Sequence, residues 1–139
     1  GGFVHSKLFV NVREKASLAY TAFSSYNANK GLILAYAGID VNKYQEALDI
    51  ILRQIEDTAR GRFSDEELDA TRKVFQTQYR MRLDTVDGRI LHHLGGELEG
   101  CPETIEESLV KVARVTREAV VEAAARTRLD TIYFLKGVS

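Results

Sequence analysis

Two side chains near the start of the chain have the types and the spacing that suit peptide recognition. Arg13 lies at the end of an amphipathic segment that closes on Arg-Glu-Lys, and Tyr20 follows seven residues later. The pattern predicts a helix that turns into a strand, so a guanidinium and a phenol leave two rigid elements. Such a pair can hold a peptide carbonyl or help to stabilise a developing oxyanion. Composition alone favours a plainer interpretation, a surface arginine and a sheet tyrosine.

The histidines lack the spacing of a catalytic metal site. They are His5, His92 and His93. His92 and His93 are adjacent, so on a helix they point about 100° apart and do not easily bind one ion together. His93 and Glu97 are four residues apart and share a helix face, but they supply two ligands where catalytic zinc takes three from the protein. We therefore predict no metal site in this chain.

Charge and composition exclude several classes of partner. The chain has 139 residues, the size of one domain, and a formal net charge of −1. It therefore lacks the basic excess that nucleic-acid binding usually needs. No apolar run approaches the roughly 20 residues that span a bilayer. The single cysteine, Cys101, cannot form an intrachain disulfide, which favours a reducing compartment, the cytoplasm. Cys101 also has no neighbouring histidine in the arrangement that a nucleophilic cysteine needs.

A β-hairpin is predicted directly after Arg13. Residues 18–26 are rich in aromatic and small side chains, and residues 31–39 form an almost continuous apolar run. The apolar run indicates a strand that is buried on both faces or packed under helices. Asn-Ala-Asn-Lys-Gly at 27–31 has the residues that a tight turn prefers, so the two strands are antiparallel.

Helices dominate the rest of the chain. Two capping boxes give the clearest helix starts, Ser64 with Glu67 and Thr104 with Glu107, and Asn42 is a further N-cap candidate with Gln45 at the reciprocal position. The predicted helices cover residues 43–60, 64 to about 85, 87–98, a short segment from 104, and an alanine-rich segment from 116. Residues 95–102 are predicted as a loop between helices, and residues 131–135 as a final strand.

The order of these elements predicts an α+β fold. Strands and helices are segregated rather than strictly alternating, which is typical of helices that cover one face of an antiparallel sheet. We treat residues 1–139 as a single domain. Three strands are few for a core of this size.

The opening twenty residues resemble a known family. Residues 1–20 read G-G-x-x-H-S-K-L-F-x-N-V-R-E-K-x-S-L-A-Y. This run is similar to the C-terminal-type, non-zinc domains of the insulinase/pitrilysin zinc peptidases, which include the mitochondrial processing peptidases. The resemblance is strongest to bacterial zinc-dependent peptidases of the processing-peptidase type. It implies that Arg13 and Tyr20 form the family's substrate-binding, transition-state-stabilising pair.

The resemblance also implies what lies outside this chain. The family binds zinc through an H-x-x-E-H helix, which is absent here, so a companion domain would supply the metal and this chain would be inactive alone. Its partners would be that domain or subunit and a peptide substrate. The resemblance further implies a partial substrate-binding domain that lacks an N-terminal β-α-β portion. The sheet edge exposed in this way predicts a homo-oligomer of the isolated fragment.

Two other interpretations remain open from the sequence. The chain could be a catalytically inactive structural or interaction subunit of the same fold, as in core subunits of respiratory complexes that resemble these peptidases. A purely structural subunit does not need both Arg13 and Tyr20. The chain could also be an unrelated α+β binding module, in which case the two side chains would point to opposite sides of the sheet.

Overall fold

The hairpin and five helices follow one another along the chain. The computed structural model describes residues 2–3, 6–15 and 17–137, so His5 lies outside the described residues. Within these ranges the elements are a π-helix at Phe9–Lys15, strands β1 (Ala19–Asn27) and β2 (Leu32–Ile39), and helices α1 (Tyr44–Ala59), α2 (Asp65–Leu83), α3 (Val86–Leu98), α4 (Ile105–Ala113) and α5 (Arg117–Ala125).

The predicted hairpin is confirmed. β1 and β2 pair antiparallel, and Asn27 lies opposite Leu32 at the closed end. The Asn27 side chain accepts a hydrogen bond from the Lys30 amide at 3.1 Å, and Gly31 takes a left-handed conformation with φ of 61°. As the sequence indicated, asparagine supplies a side-chain hydrogen bond to the turn and glycine supplies its left-handed backbone conformation.

Helices cover one face of this sheet, as the α+β prediction requires. Ala22 on β1 and the opposite residue, Ala37 on β2, face the helical side. Ala22 forms a buried cluster with Leu8 and Val12, the latter with none of its surface exposed. Ile50 and Ile51 of α1, together with Ala19 and Ala37, pack against this cluster. Burial of these apolar side chains joins the opening helix, the sheet and α1 in one core.

Both predicted capping boxes are present. The Ser64 hydroxyl accepts from the Glu67 amide and the Glu67 carboxylate accepts from the Ser64 amide. Thr104 and Glu107 make the same reciprocal bonds at the start of α4. Each box satisfies two amides that would otherwise lack partners at a helix N-terminus.

Two predictions about helix starts need correction. The opening helix is of the π type over Phe9–Lys15, a geometry that is rare and concentrated at functional sites. The predicted N-cap at Asn42 is wrong, because a 3₁₀ turn at Val41–Lys43 precedes α1 and Asp40 occupies the N-cap position of that turn.

Gly95 and Gly96 lie inside α3, so the prediction that a loop starts there is wrong. The helix continues to Leu98 and the loop begins after it. A Cβ atom on Gly96 would lie 3.2 Å from the Cys101 carbonyl oxygen and 3.3 Å from the Pro102 Cα. Glycine therefore lets the chain that leaves α3 fold back against the helix, which residue preference alone does not reveal.

The strand predicted at residues 131–135 is not formed in this chain. The described structure contains one sheet of two strands, and residues 131–135 belong to no ladder. Phe134 instead packs against Tyr44 at the start of α1, with ring centroids 4.4 Å apart. A β-favouring composition does not by itself form a strand, because strand preference depends on the packing around the segment.

β2 is more exposed than its apolar run predicted. Ile33 and Tyr36 are 52% and 45% exposed, and they point to opposite faces of the sheet. An apolar groove of about 1170 Å³ lies between β2, α1 and the segment around residues 126–134. The residues of this chain thus do not bury β2 on either face as fully as its composition indicated.

Candidate functional site

Arg13 projects from the π-helix beside a buried anchor. Val12 is fully buried in the core, while Arg13, the next residue, is exposed. The Arg13 guanidinium carbon lies 4.8 Å from the centroid of the Phe9 ring. This cation–π contact on the same helix face restrains the long side chain and leaves its N–H groups available to other acceptors.

Tyr20 lies at an irregularity of the sheet. Ala19 pairs with Ile39 and Thr21 pairs with Gly38, so β1 uses one more residue than β2 over this step. Tyr20 is therefore the extra residue of a β-bulge. Bulges redirect side chains and are common beside functional sites. Here the Tyr20 side chain is 72% exposed.

The bulge sets the side of the sheet on which Tyr20 lies. Ala19 and Ala22 belong to the face that packs against the helices, and alternation places Thr21 and Phe23 on the opposite face. A single step from Ala19 puts Tyr20 on this opposite face too. Phe23 stacks there on Tyr36, with ring centroids 4.8 Å apart, and Phe23 is 49% exposed. The face without helices therefore carries a row of accessible aromatic side chains.

One backbone hydrogen bond limits the distance between the Cα atoms of Arg13 and Tyr20. The Leu18 amide donates to the Val12 carbonyl at 3.2 Å, which closes the turn between helix and strand. Ser17 within this turn has a left-handed backbone with φ of 50°, an uncommon conformation for a residue with a side chain. Standard backbone dimensions then limit the Cα separation of Arg13 and Tyr20 to about 15 Å. Two long side chains and an extended peptide between them can span that distance.

Arg13 and Tyr20 contact different neighbours and not each other in the hydrogen bonds of the described residues. Arg13 lies over Phe9, and the Tyr20 hydroxyl donates to Asp40 Oδ1 at 3.3 Å. Asp40 follows β2 directly. Sequence reasoning missed Asp40, because the contact joins residues twenty positions apart through a register that the bulge determines.

The histidine region has a structural role. Arg82 Nη1 lies 3.3 Å from His92 Nδ1, and His92 Nε2 lies 3.1 Å from the Glu103 carbonyl oxygen. A guanidinium only donates and a carbonyl only accepts, so Nδ1 is the acceptor and Nε2 carries the proton. His92 thereby joins α2, α3 and the approach to α4. His93 and Glu97 are exposed.

Within the described ranges, no three histidine, cysteine, aspartate or glutamate side chains form a group that could hold a metal ion. Cys101 is a free, exposed thiol. Among the described helices, none combines the length and the hydrophobicity of a membrane-spanning segment.

Comparison with known proteins identifies relatives of the whole chain. It is 40% identical over 139 residues to "Probable inactive metalloprotease YmfF" from Bacillus subtilis (strain 168), a match that covers 99% of this chain and 32% of that protein. It is 33% identical over 131 residues to "Uncharacterized zinc protease SCO5738" from Streptomyces coelicolor, covering 91% of this chain and 28% of that protein. The chain thus spans less than a third of the length of these curated relatives.

A solved structure shares the fold. The crystal structure of a conserved protein from Enterococcus faecalis V583 superposes with a TM-score of 0.83 at 34% sequence identity, covering 91% of this chain and 30% of that one. The family model described as "Peptidase M16 inactive domain" matches residues 1–75. An inactive domain agrees with the assignment of zinc to a companion domain. The match covers more than half of the chain, including Arg13 and Tyr20, so the chain belongs to the peptidase M16 inactive-domain family, the C-terminal, non-zinc-bearing type of domain in insulinase-like metallopeptidases.

Proposed function

We propose that this chain is the substrate-binding domain of a zinc metalloendopeptidase that encloses and hydrolyses peptides. The observation that carries the proposal is the exposure of Arg13 and Tyr20 on either side of the turn that the Val12–Leu18 hydrogen bond closes. This exposure argues against the plainer interpretation of Tyr20 as an ordinary sheet residue, since a bulge directs it away from the helices.

The chemistry of the two side chains fits a polypeptide backbone. A guanidinium carries five N–H donors, which can bind a substrate carbonyl and favour negative charge as it develops on that oxygen. A phenol adds one further polar group that can form a hydrogen bond. Neither group activates water, so zinc in the companion domain would supply the nucleophile. This chain would bind and orient the peptide.

The aromatic pair on the uncovered face supports contact with extended peptides. Phe23 and Tyr36 stack and are each close to half exposed. Accessible aromatic side chains provide apolar contact area at low entropic cost, which suits recognition of varied side chains. We infer that this face of the hairpin is directed toward the enclosed substrate, while the helices form the outer layer.

A second candidate function is an inactive structural or interaction subunit of the same fold. The description "Peptidase M16 inactive domain", which applies to this chain's family, favours it, and a relative is named a probable inactive metalloprotease. The two candidates differ in one measurable property. A substrate-binding domain requires Arg13 and Tyr20 for peptide binding, whereas a structural subunit keeps its assembly when both side chains are removed.

Tyr20→Phe tests the proposal with minimal disturbance of the fold. We expect it to lower kcat/KM of the full-length protein for an unstructured peptide by about three- to tenfold, the effect of one lost neutral hydrogen bond. Steady-state cleavage of a fluorogenic peptide measures this change. Thermal unfolding should remain unchanged, because the phenol is exposed and its hydrogen bond to Asp40 is on the surface.

Tyr26→Phe is the matched control for that experiment. Tyr26 lies on the same strand and is 68% exposed, but alternation places it on the face opposite to Phe23. It should leave cleavage unchanged. Equal activity of Tyr20→Phe and the unmodified protein would remove Tyr20 from the substrate site.

We further infer that the isolated chain forms homo-oligomers. Among the described residues the sheet has two strands, and β2 exposes apolar side chains such as Ile33 and Leu34. Free strand edges with apolar faces promote pairing between chains. Sedimentation at increasing protein concentration should show association, and substituting lysine for Ile33 should reduce it. A monomer throughout the micromolar to millimolar range would contradict this inference.

We also propose a cytoplasmic location for the protein. A single free thiol that is exposed to solvent is stable in a reducing compartment and vulnerable to oxidation outside one. Cell fractionation that recovers the protein outside the cytoplasm would contradict the assignment.

A further inference from the structure

Asp40 lies at the N-cap of a 3₁₀ turn, yet its side chain does not cap that turn. The backbone of Asp40 has the extended conformation of an N-cap residue, and the turn at Val41–Lys43 follows it. An aspartate in this position normally accepts a hydrogen bond from an amide of its own helix. Here its side chain makes no such bond, and Oδ1 accepts from the Tyr20 hydroxyl instead.

The direction of this bond determines what Tyr20 can offer to a ligand. A phenol has one proton, and a carboxylate accepts hydrogen bonds without donating. Once Tyr20 donates to Asp40, the phenol oxygen retains only its capacity to accept. Arg13 has the opposite character, because a guanidinium donates and cannot accept. The two exposed side chains therefore present one acceptor and one donor.

A peptide backbone carries the complementary pair of groups, one N–H and one C=O per residue. We propose that Asp40 is a positioning residue for Tyr20, holding the phenol so that its oxygen accepts a backbone N–H of an extended peptide while Arg13 donates to a carbonyl. The substrate class is then a polypeptide with a free backbone N–H at this point. This inference rests on the proposed function and adds to it the group that Tyr20 recognises.

The geometry around Tyr20 favours positioning by Asp40. Tyr20 is the unpaired residue of the bulge and is largely exposed, so packing leaves its side chain considerable freedom. The 3.3 Å contact to Asp40 is its one hydrogen bond among the described residues. This distance is longer than usual for a hydroxyl donor, and contacts in ligand-free sites often shorten when a ligand binds.

A double-mutant cycle tests whether Asp40 acts through Tyr20. The full-length protein, in EDTA to prevent cleavage, is titrated against a fluorescein-labelled, unstructured peptide of about 15 residues, long enough to fill a site of this kind. We expect Asp40→Ala to raise Kd by about three- to fivefold in the wild-type background and to have no further effect in Tyr20→Phe. Asp40→Asn, which keeps an acceptor oxygen, should raise Kd by a smaller factor than Asp40→Ala.

An ester scan of the same peptide identifies the recognised group. Replacing one amide at a time by an ester removes one N–H and keeps the backbone shape. We expect one position at which the ester weakens binding to the wild-type protein, with the loss abolished in Tyr20→Phe and in Asp40→Ala. Asp49→Ala is the matched control, since Asp49 is an exposed carboxylate that accepts from Gln45 at 2.9 Å.

Two outcomes would overturn the inference in distinguishable ways. If Tyr20→Phe weakens binding but Asp40→Ala causes the same loss in both backgrounds, Asp40 does not act through Tyr20 and the proposed function stands. If Tyr20→Phe binds the peptide as the wild-type protein does, the substrate role of Tyr20 fails together with the inference.

Discussion

Arg13→Ala is expected to lower kcat/KM of the full-length protein for an unstructured peptide by about 10- to 100-fold, the effect of losing one charge-assisted hydrogen bond to the substrate. The side chain is exposed, its guanidinium lies over the Phe9 ring, and it makes no hydrogen bond or ion pair with the residues that the structure describes. Steady-state cleavage of a fluorogenic peptide gives the value. Unfolding should change little, because Val12 rather than Arg13 anchors the helix in the core.

Arg13→Lys and Arg53→Ala separate the possible reasons for that loss. Lysine keeps the charge but not the planar fork of donors, so activity should recover only in part. Arg53 is an exposed arginine on α1, and its removal should have no effect. Equal losses for Arg13→Ala and Arg53→Ala would indicate a general effect of surface charge.

Arg117→Ala is expected to lower the free energy of unfolding by about 2–3 kcal/mol, because it leaves backbone carbonyls without their partner. Arg117 Nη1 donates to the carbonyl oxygens of Gly61 at 2.9 Å and Phe63 at 2.7 Å. Nη2 donates to Asp65 at 2.7 Å, and the guanidinium lies 4.5 Å from the Phe63 ring centroid. One half-buried side chain thus holds the α1–α2 loop against α5.

Arg126→Ala provides the comparison for this stability measurement. Arg126 directly follows α5 and pairs with Glu122 one turn away on the exposed surface. Such exposed pairs contribute about 0.5 kcal/mol or less. Urea unfolding of both variants should show a much larger loss for Arg117→Ala. Similar losses would mean that the carbonyl contacts of Arg117 add nothing beyond a surface ion pair.

Local signals in the sequence predicted local structure well. The capping boxes at Ser64 and Thr104 depend on side chains that reach amides three residues away, so the residue types are sufficient to identify them. The hairpin turn at residues 27–31 is similar, because Asn27 and Gly31 provide its hydrogen bond and its left-handed conformation.

Features that depend on distant partners could not be predicted in the same way. The bulge at Tyr20 and its contact with Asp40 follow from the register between two strands, which no short motif encodes. Glycine composition favours a loop at Gly96, but the residue lies in α3, where the missing Cβ admits the chain that returns near Pro102. Residues 131–135 have strand composition, but they form no ladder, and Phe134 packs on Tyr44 instead.

The candidate site was predicted from the sequence to an intermediate degree. The types and spacing of Arg13 and Tyr20 predicted binding to a peptide backbone. The resemblance of residues 1–20 predicted the family whose model matches residues 1–75. Side-chain direction was out of reach, since it depends on the burial of Val12 and on the extra residue in β1.

A crystal structure of the full-length protein with a non-hydrolysable peptide bound would test the central claim most directly. The decisive quantities are the distances from the Arg13 guanidinium and the Tyr20 phenol oxygen to the peptide backbone. We expect both to lie within hydrogen-bond range, about 2.7–3.2 Å, of the same peptide. A peptide bound elsewhere, with Arg13 and Tyr20 both facing solvent or packed protein, would contradict the account.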